Sequence, residues 1–253
     1  MTRSTKVPFV LLHALSLDSA MWQEQEHALT DSGHLVIPFD QRGFGGTPLG
    51  RARPSLDVVA DDLAEALTAR GTDRAVLVGS SMGAYVAMAF VRRHPDRTAG
   101  LALLSARVTA DAPQARAQRL RFAELVQDDA VRETVLKQTT PQLVGATTRN
   151  KHPQVLARVL ADAHLCDPAA LAWAQRAIAD RPDSTATLRG LGAPAVVIAG
   201  DEDELVTAAE SRHTADTLPG GQLITIEGAG HLQPLEAPQA VTDALRVLGA
   251  HAC

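Results

Sequence analysis

Five consecutive residues, Gly79-Ser80-Ser81-Met82-Gly83, have the types and spacing of a serine nucleophile held in a sharp turn. A serine hydroxyl is a weak nucleophile, so it must be presented where a base can remove its proton. Glycine stands at both ends of the pentapeptide, because side chains at those positions would collide in so tight a turn. The spacing selects Ser81 as the nucleophile and leaves Ser80 at the variable position of the motif.

A match of this length also arises by chance, so its meaning depends on whether the chain supplies a base. Of the nine histidines, His231 is the best placed. It follows the last apolar run through Gly228-Ala229-Gly230, a turn flexible enough for the imidazole to reach a serine near the middle of a sheet. His13, which ends the first apolar run, is expected to line the floor of the pocket.

Four acidic residues, Asp201 to Glu204, come directly after another apolar run. Such a run is often no more than the solvated start of a helix, where negative charge is favourable. Here one carboxylate can instead accept the Nδ1–H of His231, which fixes the tautomer of the base and stabilises the imidazolium that forms when Ser81 loses its proton. The residue types alone leave the choice among the four acids open.

An attacked carbonyl oxygen becomes negative and needs two backbone N–H groups as an oxyanion hole. One is expected from Met82, which follows the nucleophile at the positive end of a helix. The other is expected from the loop after the first strand, where we place it at Leu15. Trp22 and Leu232 are expected, with His13, to contact the substrate.

Short continuous apolar runs alternate with helical patterns along the chain. The runs lack strict polar alternation, which is typical of parallel strands covered on both faces, so we expect an α/β fold with a mostly parallel sheet of about six main strands. Active sites in such sheets gather at the carboxyl ends of the strands. The predicted strands are 7–12, 35–39, 75–78, 100–104, 195–199 and 223–226, and the predicted helices between them are 55–70, 81–93, 208–218 and 234–248.

One long segment, from about residue 106 to residue 190, has no convincing strand. Helical patterns punctuated by proline recur in it instead, at 113–126, 129–138, 153–164 and 168–180. We therefore predict a core formed by residues 1–105 and 191–253, with residues 106–190 inserted as a helical lid over the strand ends.

The net charge, apolar runs and cysteine content of the chain limit the kinds of partner that it is expected to bind. The chain has 253 residues and a net charge of −5, so there is no electrostatic case for nucleic acid or an anionic membrane. No apolar run approaches the roughly 20 residues of a membrane span, and no secretory leader is recognisable. The two cysteines, Cys166 and Cys253, are not expected to form a structural disulfide, which fits a cytoplasmic protein. No zinc-binding spacing and no dinucleotide fingerprint occurs, so neither a metal nor a cofactor is expected.

Taken together, the motifs resemble the α/β-hydrolase superfamily, and within it the small bacterial serine esterases, lactonases and cofactor-free perhydrolases. The family's Gly-x-x-Asp block implies that Asp203, rather than Asp201, is the triad acid. Two departures stand out: Ala14 replaces the usual glycine of the oxyanion loop, and the usual N-terminal hairpin is expected to be missing. The matching blocks are His13-Ala14-Leu15, Asp40-Gln41-Arg42-Gly43-Phe44-Gly45, Gly79 to Gly83, Gly200-Asp201-Glu202-Asp203 and Gly230-His231.

The resemblance implies a serine hydrolase that cleaves a small-molecule carboxylic ester or lactone through an acyl-enzyme, with the triad Ser81, Asp203 and His231. Serine at the elbow argues against the epoxide hydrolases and dehalogenases of this fold, which carry aspartate there. Three alternatives remain open: acyl transfer to hydrogen peroxide or an alcohol, a tailoring step on a larger metabolite, and a ligand-binding receptor of the same fold. The sequence does not predict the substrate or the oligomeric state.

Overall fold

The computed structural model describes residues 6–252 and contains a six-stranded sheet in the order β2-β1-β3-β4-β5-β6. All five strand pairs are parallel, which confirms the predicted fold. The three adjacent strands β1, β3 and β4 are buried along their whole length because helices cover both faces of the sheet. The strands are β1 (Phe9–Leu12), β2 (Val36–Phe39), β3 (Ala75–Ser80), β4 (Thr98–Leu104), β5 (Ala195–Gly200) and β6 (Gln222–Ile226). The predictions about an N-terminal hairpin and about Cys253 involve residues 1–5 and 253, which lie outside the described residues.

Successive residues of β1 face opposite layers of the core. Val10 and Leu12 pack into the apolar cluster on one side of the sheet, whereas Phe9 and Leu11 pack into the cluster on the other side. The helices that cover the sheet are α1 (Gln23–Asp31), α2 (Leu56–Ala69), α3 (Met82–Arg93), α10 (Ala208–Thr217), α11 (Gln233–Glu236) and α12 (Pro238–His251).

The single helix predicted at 234–248 is wrong, because the chain forms two helices that meet at Ala237. Proline disfavours a helical conformation in the residue before it and has no N–H to continue a ladder. Ala237, directly before Pro238, accordingly has φ −141° and ψ 60°.

A run of helices connects β4 to β5, as the sequence indicates, and no strand lies within it among the described residues. The buried face of α8 packs into the same apolar cluster as α3, so this segment shares the core of the sheet. The division into core and lid stays a prediction. The helices are α4 (Pro113–Leu125), α5 (Arg132–Thr139), α6 (Ala146–Lys151), α7 (Pro153–Leu165), α8 (Pro168–Ala179) and α9 (Thr185–Arg189). None of the helices in residues 6–252 combines the length and apolar character needed to cross a bilayer.

The first turn of α3 passes close to β1, and only glycine fits at this crossing. A Cβ atom on Gly83 would lie 2.1 Å from the carbonyl oxygen of Leu12. We expect Gly83→Ala to lower the free energy of unfolding by about 1–3 kcal/mol, because the helix must shift away from the strand. Urea denaturation measures this loss. Gly192→Ala is the matched control, since nothing lies within 4 Å of that position and its backbone is unstrained; equal effects of the two substitutions would contradict the crossing geometry.

Candidate active site

Ser81 is the turn residue between β3 and α3, and its backbone is strained. Its φ of 52° and ψ of −112° lie in a region that residues with side chains rarely adopt. The Ser81 N–H donates to the Leu104 carbonyl at 2.8 Å, which ties the turn to the end of β4. A Cβ on Gly79 would lie 2.3 Å from the Gly83 carbonyl oxygen, so both glycines are required as the sequence suggests. The turn therefore presents the Ser81 side chain above the carboxyl end of the sheet.

The imidazole of His231 reaches this serine from the loop that follows β6. Its Nε2 lies 2.8 Å from Ser81 Oγ, and the histidine is buried. The loop is held by Glu236, whose carboxylate accepts the N–H groups of Gly230 and Leu232 at 2.9 Å each. Gly230 also allows close packing, since a Cβ there would lie 2.2 Å from the Gly145 nitrogen. Residues 150 positions apart in sequence are thus brought into hydrogen-bond contact.

Only one of the four consecutive acids contacts His231. Both carboxylate oxygens of Asp203 lie 3.0 Å from His231 Nδ1, and Oδ1 also accepts the N–H groups of Leu205 and Val206 at 2.8 and 3.0 Å. With its proton on Nδ1, His231 donates to Asp203 and accepts from Ser81. Burial raises the pKa of Asp203, but the neighbouring His231 and the hydrogen bonds lower it by more than burial raises it. The pKa is therefore below its usual value, and the carboxyl is ionised.

The other three acids serve the surrounding loops. Asp201 accepts the Gly228 N–H at 2.7 Å, Glu202 accepts the Thr147 hydroxyl at 2.6 Å, and Glu204 pairs with Arg149 at 2.9 Å. Of the four acids that the residue types leave possible, the structure therefore places Asp203 next to His231 and the other three elsewhere.

The two predicted oxyanion donors belong to the loop after β1 and to the first residue of α3. Leu15 lines the cavity above the serine, and Met82 begins α3 with its side chain buried. In the described part of the chain, neither the Leu15 N–H nor the Met82 N–H donates a hydrogen bond to protein. The left-handed residue of the Leu15 loop is Ser16, with φ 64°, and Ala14 has an ordinary negative φ. Alanine in place of the usual glycine therefore requires no backbone strain.

His13 supports the oxyanion loop instead of lining the pocket, which corrects the prediction. Its Nδ1–H donates to the Ala14 carbonyl at 2.8 Å, and its Nε2 accepts the Gln41 N–H at 3.1 Å. The Gln41 side chain donates back to the His13 carbonyl at 2.8 Å. Burial lowers the pKa of His13, which suits a neutral ring that accepts at Nε2.

The predictions of substrate contact by Trp22 and Leu232 are also wrong. Both side chains are 0% exposed and pack into the apolar cluster that contains Phe9 and Leu11. Each lies close in sequence to a site residue, but its side chain turns into the core because a large apolar group gains most from leaving water.

A cavity of about 360 Å³ opens above Ser81 and His231, between the strand ends and the helices that connect β4 to β5. Sequence reasoning missed most of its wall. Tyr85 carried a usable signal, since it lies four residues after Ser81 on α3 and therefore on the same helix face. The wall is formed by Ala14, Leu15, Ser16, Ser81, Tyr85, Arg107, Ala115, Gln118, Arg119, Phe122, Leu136, Thr139, Thr140, Gln142, Leu143, Gln175, Leu205, Val206 and His231. Within residues 6–252, no group of three or more His, Cys, Asp or Glu side chains is arranged to hold a metal ion.

Known proteins share this architecture. A thermophilic esterase from Thermogutta terrifontis, solved with malate bound, is 37% identical, and the TM-score is 0.91 over 96% of this chain and 89% of that chain. An N-acyl homoserine lactone degrading enzyme is 30% identical, with a TM-score of 0.81 over 95% of this chain and 92% of that chain. Epoxide hydrolase A of Mycobacterium tuberculosis is 29% identical over an alignment of 283 positions, which covers 93% of this chain and 88% of that protein.

The family comparison covers nearly the whole described chain. A family model described as the alpha/beta hydrolase fold matches residues 7–238, from two residues before β1 to the first residue of α12. The match includes the elbow, the acidic loop and the histidine loop. On this evidence, the chain belongs to the α/β-hydrolase family.

Proposed function

We propose that this protein hydrolyses a carboxylic ester or lactone of a small molecule through an acyl-enzyme on Ser81. The observation that carries the proposal is the 2.8 Å contact between Ser81 Oγ and His231 Nε2 on the wall of a cavity large enough for a small substrate. The esterase and lactone-degrading relatives support both substrate types, since both reactions begin with attack on the same kind of carbonyl.

The reaction follows from the position of each group. His231 Nε2 takes the proton of Ser81 as Oγ attacks the carbonyl carbon, and Asp203 stabilises the imidazolium through the Nδ1–H bond. The N–H groups of Leu15 and Met82 then stabilise the negative oxygen, each contributing on the order of 10²–10³-fold in rate.

His231 next gives its proton to the leaving oxygen as the carbon–oxygen bond breaks. An ester releases its alcohol at this step, whereas a lactone keeps the new hydroxyl on the acyl chain. Water enters, His231 removes one of its protons, and the hydroxide oxygen attacks the acyl-enzyme. Collapse of the second tetrahedral intermediate frees the acid and returns the proton to Ser81.

Epoxide opening is one competing activity among the relatives. Serine at the elbow disfavours it, because enzymes of this fold that open epoxides use an elbow aspartate. The free Leu15 and Met82 N–H groups suit the oxygen of a carbonyl that becomes negative during acyl transfer.

A substrate panel tests the proposal. Purified protein is assayed with p-nitrophenyl esters of increasing acyl length, with γ- and δ-lactones, and with styrene oxide. We expect turnover of at least one ester or lactone and none of the epoxide. A parallel assay with hydrogen peroxide and a halogenation dye measures perhydrolysis; turnover that requires peroxide would replace hydrolysis with acyl transfer, and turnover of the epoxide alone would overturn the acyl-enzyme scheme.

A further inference from the structure

The cavity wall carries positively charged side chains, whereas the net charge of the whole chain is negative. The protein has a net charge of −5. Yet the described wall residues include no Asp, Glu or Lys, and their permanently charged side chains are two arginines, Arg107 and Arg119. A cationic wall in an acidic protein indicates a ligand that carries negative charge beyond its reacting carbonyl.

Three arginines at and behind the cavity wall pair with two carboxylates. Asp111, whose side chain is 0% exposed, lies 2.6 Å from Arg119, 2.8 Å from Arg181 and 3.8 Å from Arg107. Arg107 also pairs with Glu210 at 3.0 Å. Burial raises the pKa of Asp111, but the arginines lower it by more than burial raises it, so the Asp111 carboxyl is ionised. Within this cluster, three guanidinium groups face two carboxylates; the ionised Asp203, which bonds His231, is a further acid at the cavity.

Arg119 has a donor to spare. Arg107 donates through Nη2 to the Leu205 carbonyl and to Glu210, whereas its Nε is buried without a hydrogen bond among the described residues and its Nη1 lies 3.8 Å from Asp111. Arg181 lies outside the wall and bonds two carbonyls and Asp111. Arg119 donates through Nε to Asp111 and through Nη1 to the Gln175 amide oxygen at 3.2 Å, while its Nη2 makes no hydrogen bond within residues 6–252.

Tyr85 supplies a second donor on the same wall. It lies on α3, four residues after Ser81 and about 6 Å further along the helix axis. The guanidinium carbon of Arg181 lies 4.1 Å from the centre of its ring, a cation–π contact that holds the ring in place. Among the described residues, its hydroxyl has no hydrogen-bond partner. A phenol and a guanidinium with free donors on one wall match the acceptor oxygens of a carboxylate.

We propose that Arg119 and Tyr85 form a subsite for a free carboxylate on the substrate, so that the enzyme prefers esters or lactones that carry a second, ionised carboxyl group. This inference rests on the proposed function, because it concerns the substrate of the same Ser81. The short distance along α3 from Ser81 to Tyr85 restricts the substrates to small ones, such as hemiesters of short dicarboxylic acids.

The test compares two substrates that differ only in charge. Monoethyl glutarate carries a free carboxylate, and the ethyl ester of glutaramic acid carries a neutral amide of nearly the same shape. The wild type is expected to show the higher kcat/KM with monoethyl glutarate. Arg119→Gln is expected to lower the ratio of the two kcat/KM values by about 10- to 100-fold, because it removes a charge-assisted hydrogen bond. The ratio cancels any general loss of folded enzyme.

Matched variants separate local contact from general charge. Arg116→Gln removes the same charge from the same helix, at a residue that pairs with Asp180 and is 49% exposed outside the cavity wall. It is expected to leave the ratio within about twofold, since surface ion pairs contribute little and are screened. Tyr85→Phe, which keeps the ring under Arg181, is expected to lower the ratio severalfold and stands as the test if Arg119→Gln does not fold.

The outcomes separate this inference from the proposed function. If the wild type cleaves both esters equally well, or if Arg119→Gln and Arg116→Gln change the ratio alike, the carboxylate subsite is wrong while ester hydrolysis stands. If the wild type cleaves neither these esters nor any neutral ester or lactone, the proposed function fails and this inference fails with it.

Discussion

Replacing Ser81 with alanine is expected to abolish ester hydrolysis, with kcat falling on the order of 10⁶-fold as in other serine triads. The substitution removes the hydroxyl oxygen proposed to attack the carbonyl, and it leaves His231 Nε2 with no serine proton to take. The measurement is p-nitrophenyl butyrate hydrolysis at matched enzyme concentration, with a thermal melt to show that the variant is folded. Near-normal turnover by folded Ser81→Ala would exclude the scheme.

Ser80→Ala is the control for the serine substitution. Ser80 is the last residue of β3, is buried, and has a hydroxyl without a hydrogen-bond partner in the described structure. Losing that hydroxyl leaves the turn and the glycines around it unchanged. We expect Ser80→Ala to keep kcat within a few-fold of the wild type, because a buried hydroxyl that makes no hydrogen bond and does not touch the reacting atoms contributes little. A comparable collapse in both variants would point to damage of the turn instead of loss of the nucleophile.

Asp203→Asn is expected to lower kcat by about 10⁴-fold, the second largest effect. An asparagine amide has one acceptor oxygen and one donor NH₂ group. When the NH₂ group faces His231 Nδ1, it favours the tautomer in which Nε2 carries the proton. That tautomer cannot act as the base for Ser81. Because the pKa of Asp203 is already lowered, the wild-type carboxylate is ionised throughout the neutral range and the defect is expected at every pH tested there.

Asp201→Asn provides the matched comparison, two residues away in the same loop. Within residues 6–252, the Asp201 carboxylate accepts one hydrogen bond, from the Gly228 N–H at 2.7 Å, and an asparagine oxygen can accept the same bond. We expect less than about a tenfold loss in kcat, since one neutral hydrogen bond replaces a charge-assisted one. The reverse ranking of the two variants would move the triad acid from Asp203 to Asp201.

The strands were the most predictable part of the fold, for a physical reason. Strands covered on both faces need continuous apolar runs, and runs such as 75–78 are visible without any tertiary information. The helix α1, by contrast, was not predicted. Helix α1 buries only Gln25 and Leu29, so its sequence shows little amphipathic pattern. The break at Ala237 follows from Pro238, a signal that was present in the sequence.

Site residues could be predicted where the chemistry dictates the residue type. Ser81 and His231 follow from the turn and glycine patterns, whereas the choice of Asp203 over Asp201 required a family resemblance because loop side-chain directions cannot be read from sequence. Trp22 was misassigned for the same reason. Arg119 lies on a helix whose outward residues are mostly polar, so sequence alone does not distinguish it from exposed Arg116.

The most direct test of the central claim is to trap the acyl group and locate it. The wild type is mixed with excess p-nitrophenyl butyrate, quenched with acid within the first turnovers, digested and mapped by mass spectrometry. We expect one butyryl group per protein on the peptide that contains Ser81, with fragment ions that place it on the Ser81 side chain, and none in Ser81→Ala. Stoichiometric acylation of another residue, or a pre-steady-state burst of p-nitrophenol with Ser81 unmodified, would contradict the account.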